Sequence, residues 1–168
     1  GWLVTSISKS ITPALRIGFV VAPERARADL LRVAEHGFFG LAQPLADLAA
    51  DVLNDPALPG VLAEVRAEYM HYIQTAVNGL GGYDLQWRRD VPFLWLTLPA
   101  GWRAGAFVRA AEAEGVQLRA ADEFALRDAN APHAVRIAVN AQVPPAAFEA
   151  AIARLRGLLD SPPEGIAV

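Results

Sequence analysis

The sequence predicts an α+β fold, in which the end of a larger sheet precedes a small domain with helices on one face of a largely antiparallel sheet. Two observations support this prediction. From Val61 onward, the apolar pattern gives the order helix, strand, strand, helix, strand, strand, helix, which is typical of a small α+β domain. The first forty residues instead resemble the closing strands and helix of a larger α/β sheet.

The N-terminal elements are predicted from short apolar runs. Residues 2–6 are expected to form a short buried strand, and a polar loop leads to a second strand over Leu15 to Ala22, which is rich in β-branched and aromatic residues. A helix over Glu24 to Glu35 follows a proline, a residue that a first helical turn tolerates. Residues 36–40 interrupt the pattern, and a second helix is predicted from about Leu41 to Leu53.

The C-terminal elements begin with a long helix, predicted from about Val61 to Val77. Asn78-Gly79 and Gly81-Gly82 are expected to stop it, because glycine is common just past a helix end. The later segments are predicted, in order, as strands at Tyr83–Arg88 and Pro92–Leu98, a helix at Ala104–Glu114, short extended pieces at Val116–Arg119 and Phe124–Leu126, a strand at His133–Asn140 and a helix at Ala146–Leu159.

Turn signals predict the domain organisation. Asn54-Asp55-Pro56 and Pro59-Gly60 indicate a junction, which assigns residues 1–57 to the end of a large domain with its connecting helices. Residues 58–160 then form a C-terminal small domain, and residues 161–168 form a loose tail. A strand at the very start leaves no room for the elements that a parallel sheet would place before it. We therefore expect this chain to be the C-terminal part of a longer protein.

Composition excludes several classes of function. The net charge is −3 and no basic block occurs, so the chain itself shows no electrostatic footprint for nucleic acid. The absence of cysteine excludes disulfides and thiolate sites and is typical of a cytoplasmic protein. No apolar run approaches the roughly 18 to 20 residues that a membrane helix needs. The three histidines share no metal-ligand spacing, so no metal site is expected.

Lys9 stands out because it is the only lysine among the 15 lysine and arginine residues. Arginine keeps its proton in proteins, whereas lysine can lose it, and a neutral amine can attack a carbonyl to form a Schiff base. The alternative is that one surface lysine survived by chance, and the count alone does not separate the two.

The residues around Lys9 favour a cofactor. Ser6, Ser8 and Ser10 supply hydroxyls and Arg16 supplies a fork of donors, which together with loop amides suit a phosphate group. A lysine beside such a cradle indicates a phosphorylated aldehyde held as a Schiff base. The alternative is a polar loop with a structural arginine.

The ordered motif Ser-x-Ser-Lys-x-x-x-Pro-x-Leu-Arg-x-Gly, from Ser6 to Gly18, resembles the active-site lysine motif of type I pyridoxal-phosphate enzymes, the class I/II aminotransferases. This resemblance implies that pyridoxal 5'-phosphate is the cofactor and that Lys9 is the catalytic Schiff-base lysine. It also implies that Ser6 and Arg16 hold the cofactor phosphate. Ser8 occupies the second hydroxyl position of the motif.

The resemblance extends over nearly the whole chain. Residues 93–96 are similar to the family's small-domain strand, and residues 115–118 to its Gly-Val strand. Residues 135–137 resemble the strand whose arginine binds the substrate α-carboxylate, which assigns that role to Arg136. The family's usual Pro-Gly pair is absent from residues 119–124, so this turn must be built differently.

Two functions fit the resemblance. The sequence of residues 123–140 resembles that of the aminotransferase-like effector domains of MocR-type regulators in the GntR family. These regulators bind DNA through a separate N-terminal winged-helix domain. The alternative is an aminotransferase that moves amino groups between amino acids and 2-oxo acids. A third interpretation is a cofactor-free dimerisation piece.

The resemblance also implies an amino acid or 2-oxo acid ligand and a homodimer. In the family, the aspartate that pairs with the pyridine nitrogen precedes the lysine, and no such sequence precedes Lys9 here. We therefore expect this chain alone to be inactive and to hold the cofactor weakly.

Overall fold

The computed structural model describes residues 1–37 and 40–162, and its architecture is α+β with antiparallel sheets, as the sequence predicts. The chain divides into two compact units, the first comprising Gly1–Glu64 and the second beginning at Val65. Each unit is described by itself. Phe38, Phe39 and most of the predicted tail lie outside the described residues.

The first unit contains a two-stranded antiparallel ribbon and two helices. Strands β1 (Leu3–Ser6) and β2 (Gly18–Val21) pair along their whole length, from Leu3 opposite Val21 to Ser6 opposite Gly18. The predicted first helix begins as a 3₁₀ turn and continues as α1 (Arg27–Gly37), and α2 follows at Gln43–Asn54. Both helices therefore form close to where the sequence predicts them.

The first strand is exposed, which corrects the prediction of a buried strand. Val4 is 75% exposed, and all four residues of both strands are open to solvent. Among the described residues of this unit, the buried ones are Ile7, Leu15 and Ile17 in the connecting loop and Ala49 in α2. The loop, rather than the strands, therefore supplies the core, since a two-stranded ribbon alone leaves both faces uncovered.

The second unit is built on a four-stranded antiparallel sheet of order β3-β4-β6-β5. Its elements are β3 (Leu85–Gln86), β4 (Phe93–Thr97), α4 (Ala104–Ala113), β5 (Arg119–Ala120), β6 (Ala134–Ala138) and α5 (Pro145–Asp160). Alternate residues of the central strands, such as Leu94, Leu96 and Val135, are fully buried. Buried residues of the helices join them in one core, so one face of the sheet is covered, as predicted.

The long helix α3 (Leu58–Leu80) extends beyond the prediction at both ends, and the division between the two units falls within it. Gly79 does not stop the helix. A Cβ atom at this position would overlap Cγ2 of Ile152 in α5, so glycine permits two helices to approach closely. Among the described residues, no helix is both long and apolar enough to cross a membrane.

The region after α4 also departs from the prediction. The extended piece predicted at Val116–Arg119 is largely absent from the described strands, and β5 (Arg119–Ala120) shares only Arg119 with it. Phe124, predicted to begin another extended piece, is instead the last residue of a 3₁₀ turn over Ala121–Phe124. This turn occupies the segment that lacks the Pro-Gly pair.

Candidate functional site

The loop between β1 and β2 is anchored by apolar side chains that alternate with polar ones. Ile7, Leu15 and Ile17 are buried, and Ile11 packs against them. The backbone amides of Ile11 and Thr12 both donate to the carbonyl oxygen of Ile7, at 2.9 and 3.0 Å, which closes a tight turn. Buried side chains therefore fix the backbone that carries the predicted cofactor residues.

The four predicted cofactor residues lie on this loop or at its edge. Ser6 ends β1 opposite Gly18, Ser8 is half-buried, and Lys9 and Arg16 are exposed. The structure thus keeps them on one short segment of the first unit, with their side chains outside the apolar cluster.

Among the described residues other than glycine, Arg16 alone has a positive φ angle. Its φ angle is +52°, in the left-handed region that favours glycine. Such a conformation costs about 1 to 3 kcal/mol in a residue with a side chain. Burial of Leu15 and Ile17 on either side holds it, together with an amide hydrogen bond from Arg16 to the Pro13 carbonyl at 3.3 Å. Strain of this kind often marks a functional position.

The donor set of the loop fits a phosphorylated aldehyde. Hydroxyls and a guanidinium are donors for a phosphate dianion, and an amine is the nucleophile that an aldehyde accepts. No aspartate or glutamate occurs before Glu24, so no acidic side chain of this segment opposes an anion. The residues present are therefore chemically suited to pyridoxal phosphate.

Arg136 lies in the second unit, on the central strand β6. Its backbone pairs with Trp95 of β4 on one side and with Arg119 of β5 on the other. Its guanidinium carbon Cζ lies 4.6 Å from the centre of the Phe93 ring and 4.2 Å from that of Phe124. Both distances are within the range of a cation–π interaction.

Arg136 also lines a cavity of about 460 Å³. The remaining lining residues are Gln86, Trp87, Arg88, Val91, Phe93 and Trp95. None of them is acidic, and the structure gives Arg136 no salt bridge among the described residues. Its Nε atom is buried without a hydrogen-bond partner in the part of the chain that is described. An arginine without a carboxylate partner beside an open cavity can accept an anion.

Sequence reasoning missed the aromatic residues around Arg136. Phe93 and Trp95 occupy alternate positions of one strand, and strand pairing places such positions on the same face as the residue opposite. That spacing could have indicated aromatic neighbours for Arg136. Phe124 could not be placed in this way, because it reaches Arg136 from a 3₁₀ turn.

The fold, with a lysine loop in one unit and an arginine on a small-domain strand in the other, is that of a type I aminotransferase-like domain. The chain belongs to the class I and II aminotransferase family, whose sequence model matches residues 2–155.

Three similar proteins illustrate the range of the family. An uncharacterized HTH-type transcriptional regulator, YdeF of Bacillus subtilis (strain 168), is 26% identical over 157 residues, which is 94% of this chain. A probable N-succinyldiaminopimelate aminotransferase from Thermus thermophilus superposes with a TM-score of 0.81 at 26% identity over 94% of the chain. LysN, an α-aminoadipate aminotransferase also from Thermus thermophilus, in complex with N-(5'-phosphopyridoxyl)-L-leucine, gives a TM-score of 0.77 at 20% identity over 95% of the chain.

The chain spans only part of each of these proteins. It covers 34% of the regulator, 42% of the N-succinyldiaminopimelate aminotransferase and 41% of LysN. The similarity to LysN shows the shared fold.

Proposed function

We propose that the chain is the C-terminal part of a pyridoxal-phosphate-binding domain that senses ligands for a transcriptional regulator of the MocR type in the GntR family. The observation that carries this proposal is the similarity to an HTH-type regulator over 94% of the chain. DNA would be bound through a separate N-terminal domain. The predicted homodimer and the predicted cytoplasmic location belong to the same proposal.

In the first unit, Ser6, Ser8 and Arg16 would hold the cofactor phosphate. The Lys9 amine would be the nucleophile for the cofactor aldehyde. Pyridoxal phosphate, when bound, supplies an aldehyde that condenses with amines and a pyridine ring that withdraws electrons. The hydroxyls would donate hydrogen bonds to the phosphate, and Arg16 would add charge-assisted hydrogen bonds. The strained backbone of Arg16 is consistent with a position kept for binding.

In the second unit, Arg136 would bind the α-carboxylate of an amino acid or 2-oxo acid. The support is its lack of an acidic partner among the described residues and its place on the wall of the cavity. A guanidinium can donate two parallel hydrogen bonds to one carboxylate, which favours this class of ligand.

The alternative is an aminotransferase, supported by the family itself and by the N-succinyldiaminopimelate aminotransferase, which is as similar in sequence as the regulator. The two functions share Lys9, Arg16 and Arg136, so these residues do not separate them. DNA binding that responds to an amino acid would support the regulator. Turnover of an amino acid with a 2-oxo acid, without DNA binding, would support the enzyme.

The role of Lys9 is tested in the full-length gene product that contains these 168 residues. Borohydride reduction in the presence of pyridoxal phosphate should trap a cofactor adduct, and peptide mapping should place it on Lys9. The Lys9→Ala variant should lose the adduct and the imine absorbance while keeping its circular dichroism spectrum, because Lys9 is an exposed side chain.

Arg25→Ala is a matched control, since it removes an exposed cation of the same unit outside the loop. It should keep the adduct. A reducible lysine adduct that persists in Lys9→Ala would overturn the assignment of Lys9.

A further inference from the structure

Arg136 is held by aromatic rings rather than by acidic side chains. Phe93 approaches it from β4 and Phe124 from beyond β5, so the guanidinium lies between rings contributed from the two sides of β6. Trp95 meets the Phe124 ring edge-on, with the ring centres 5.6 Å apart. The side chain is therefore fixed while its charge stays uncompensated by the described protein groups.

The position of Phe124 depends on the 3₁₀ turn that it ends. One carboxylate oxygen of Glu123 accepts a hydrogen bond from the Ala120 amide at 3.2 Å, and the other accepts one from Arg119 Nη1 at 3.0 Å. This carboxylate closes the start of the turn in the way that an acidic residue caps a helix. Ala120 and Ala121 are buried, which docks the turn against the sheet.

We propose that the Glu123-capped turn positions Arg136 for a ligand carboxylate. Glu123 fixes the turn, the turn places Phe124 on the guanidinium, and Phe124 with Phe93 restricts the guanidinium so that its remaining donors are available to the cavity. Phe124 and Glu123 are thus positioning residues, and they act through Arg136. This inference rests on the carboxylate-binding role proposed for Arg136.

The test uses the full-length gene product loaded with pyridoxal phosphate. It compares the binding of an amino acid with that of the matching amine, which lacks the carboxylate, by following the cofactor absorbance. Phe124→Leu should raise the Kd of the amino acid about three- to thirtyfold, the range expected for loss of a cation–π contact between exposed and desolvated settings. The Kd of the amine and that of the cofactor should stay unchanged, because neither depends on Arg136.

Two further variants and one control separate positioning from general packing. Phe124→Tyr keeps an aromatic face and should restore the amino-acid Kd to within about twofold of the original protein. Glu123→Ala should weaken amino-acid binding in the same direction as Phe124→Leu. Asp122→Asn is the control. It alters a neighbouring carboxylate of the same turn that forms no salt bridge with another described residue, and it should have no effect.

The outcomes distinguish this inference from the function on which it rests. If Arg136→Ala leaves the amino-acid Kd unchanged, the carboxylate role itself fails. If Arg136→Ala weakens binding but Phe124→Leu and Glu123→Ala do not, the positioning role alone is rejected. Equal losses for the amino acid and for the amine would also reject it, because they would indicate a general structural defect.

Discussion

The two units of the molecule differ in how far they bury their apolar residues. Among the described residues, the second unit gathers eighteen buried residues into one core, drawn from its sheet, from three helices and from the segments that connect them. The apolar cluster of the first unit has four buried residues in the described part of the chain. Its strands instead expose large apolar side chains on adjoining positions, among them Leu3 and Val4 in β1, with Trp2 just before it, and Val20 and Val21 in β2.

This difference bears on how each unit supports its chemistry. Arg136 lies on one of the two central strands of a sheet that packs one face against the core, so its backbone is fixed by the core of the second unit. The Lys9 loop is fixed by Ile7, Leu15 and Ile17 with one alanine of α2. Large apolar side chains exposed together, as on β1 and β2, are typical of surfaces that contact other protein segments. The Lys9 loop, whose apolar cluster is small, is therefore the part whose stability should depend most on further protein surface.

The largest expected effect contrasts two leucines in strands. Leu96 in β4 is fully buried, whereas Leu3 in β1 is 56% exposed. Leu96→Ala should lower the free energy of unfolding of the 168-residue chain by about 2 to 5 kcal/mol, since it leaves a cavity in a packed core. Leu3→Ala should change it by less than about 0.5 kcal/mol. Urea unfolding followed by circular dichroism measures both.

The two leucine variants could also contradict the difference between the two units. A loss for Leu3→Ala as large as that for Leu96→Ala would mean that β1 is covered in solution, by a second copy of the chain for example. Repeating the measurement over a range of protein concentrations would reveal such association.

A smaller difference in stability is expected between alanine substitutions at two glycines of the same helix. In α3, a Cβ atom on Gly79 would overlap Ile152, whereas one on Gly60 would meet nothing within 4 Å. Gly79→Ala should destabilise the chain by about 1 to 3 kcal/mol through overpacking. Gly60→Ala should be neutral or stabilising by up to about 1 kcal/mol, because alanine restricts the unfolded chain.

Thermal unfolding of the two glycine variants checks this prediction. The double variant Gly79→Ala/Ile152→Val offers a control, since removing a methyl group from Ile152 should recover part of the loss. A Gly79→Ala protein as stable as Gly60→Ala would show that α3 and α5 are not in close contact at this point.

These glycines also show what the sequence could and could not predict. Periodicity predicted the order of the strands and helices, because Leu94 and Leu96 alternate and α5 has an apolar stripe. It placed the end of α3 too early, because a glycine that stops a helix and one that admits a neighbouring helix look alike in sequence. Only the packing of Ile152 separates them.

The same limit applies to the candidate site. The motif from Ser6 to Gly18 is contiguous, so the sequence alone places Lys9 and Arg16 on one segment, and their roles stay predictions. The contact of Phe124 with Arg136 could not be predicted, because Phe124 reaches it through a turn that Glu123 caps. Burial of β1 was wrongly predicted because an apolar run shows what a strand could bury, not whether another element covers it.

The smallest expected effect is a pH dependence within the second unit. The carboxylate of Asp160 accepts hydrogen bonds from the Tyr83 hydroxyl and from Arg156 Nε, the latter at 3.0 and 2.9 Å to its two oxygens. The bond from Tyr83, and then that from Arg156, hold the pKa of Asp160 below its ordinary value. The carboxylate therefore contributes stability above the unfolded pKa of about 3.9, and this contribution is lost as the pH falls through the lower pKa of the folded state.

Asp160→Asn isolates this contribution, because the amide keeps the size of the side chain but not its charge. The variant should be slightly less stable than the original chain near neutral pH, and the gap in urea midpoint should close as the pH is lowered through the acid range. Glu149→Gln, at an exposed acidic position of the same helix that forms no salt bridge with another described residue, should show no such gap. A gap for Asp160→Asn that stays constant down to about pH 2 would contradict the lowered pKa, because the unfolded chain takes up the proton below about pH 3.9 and the gap must narrow from there.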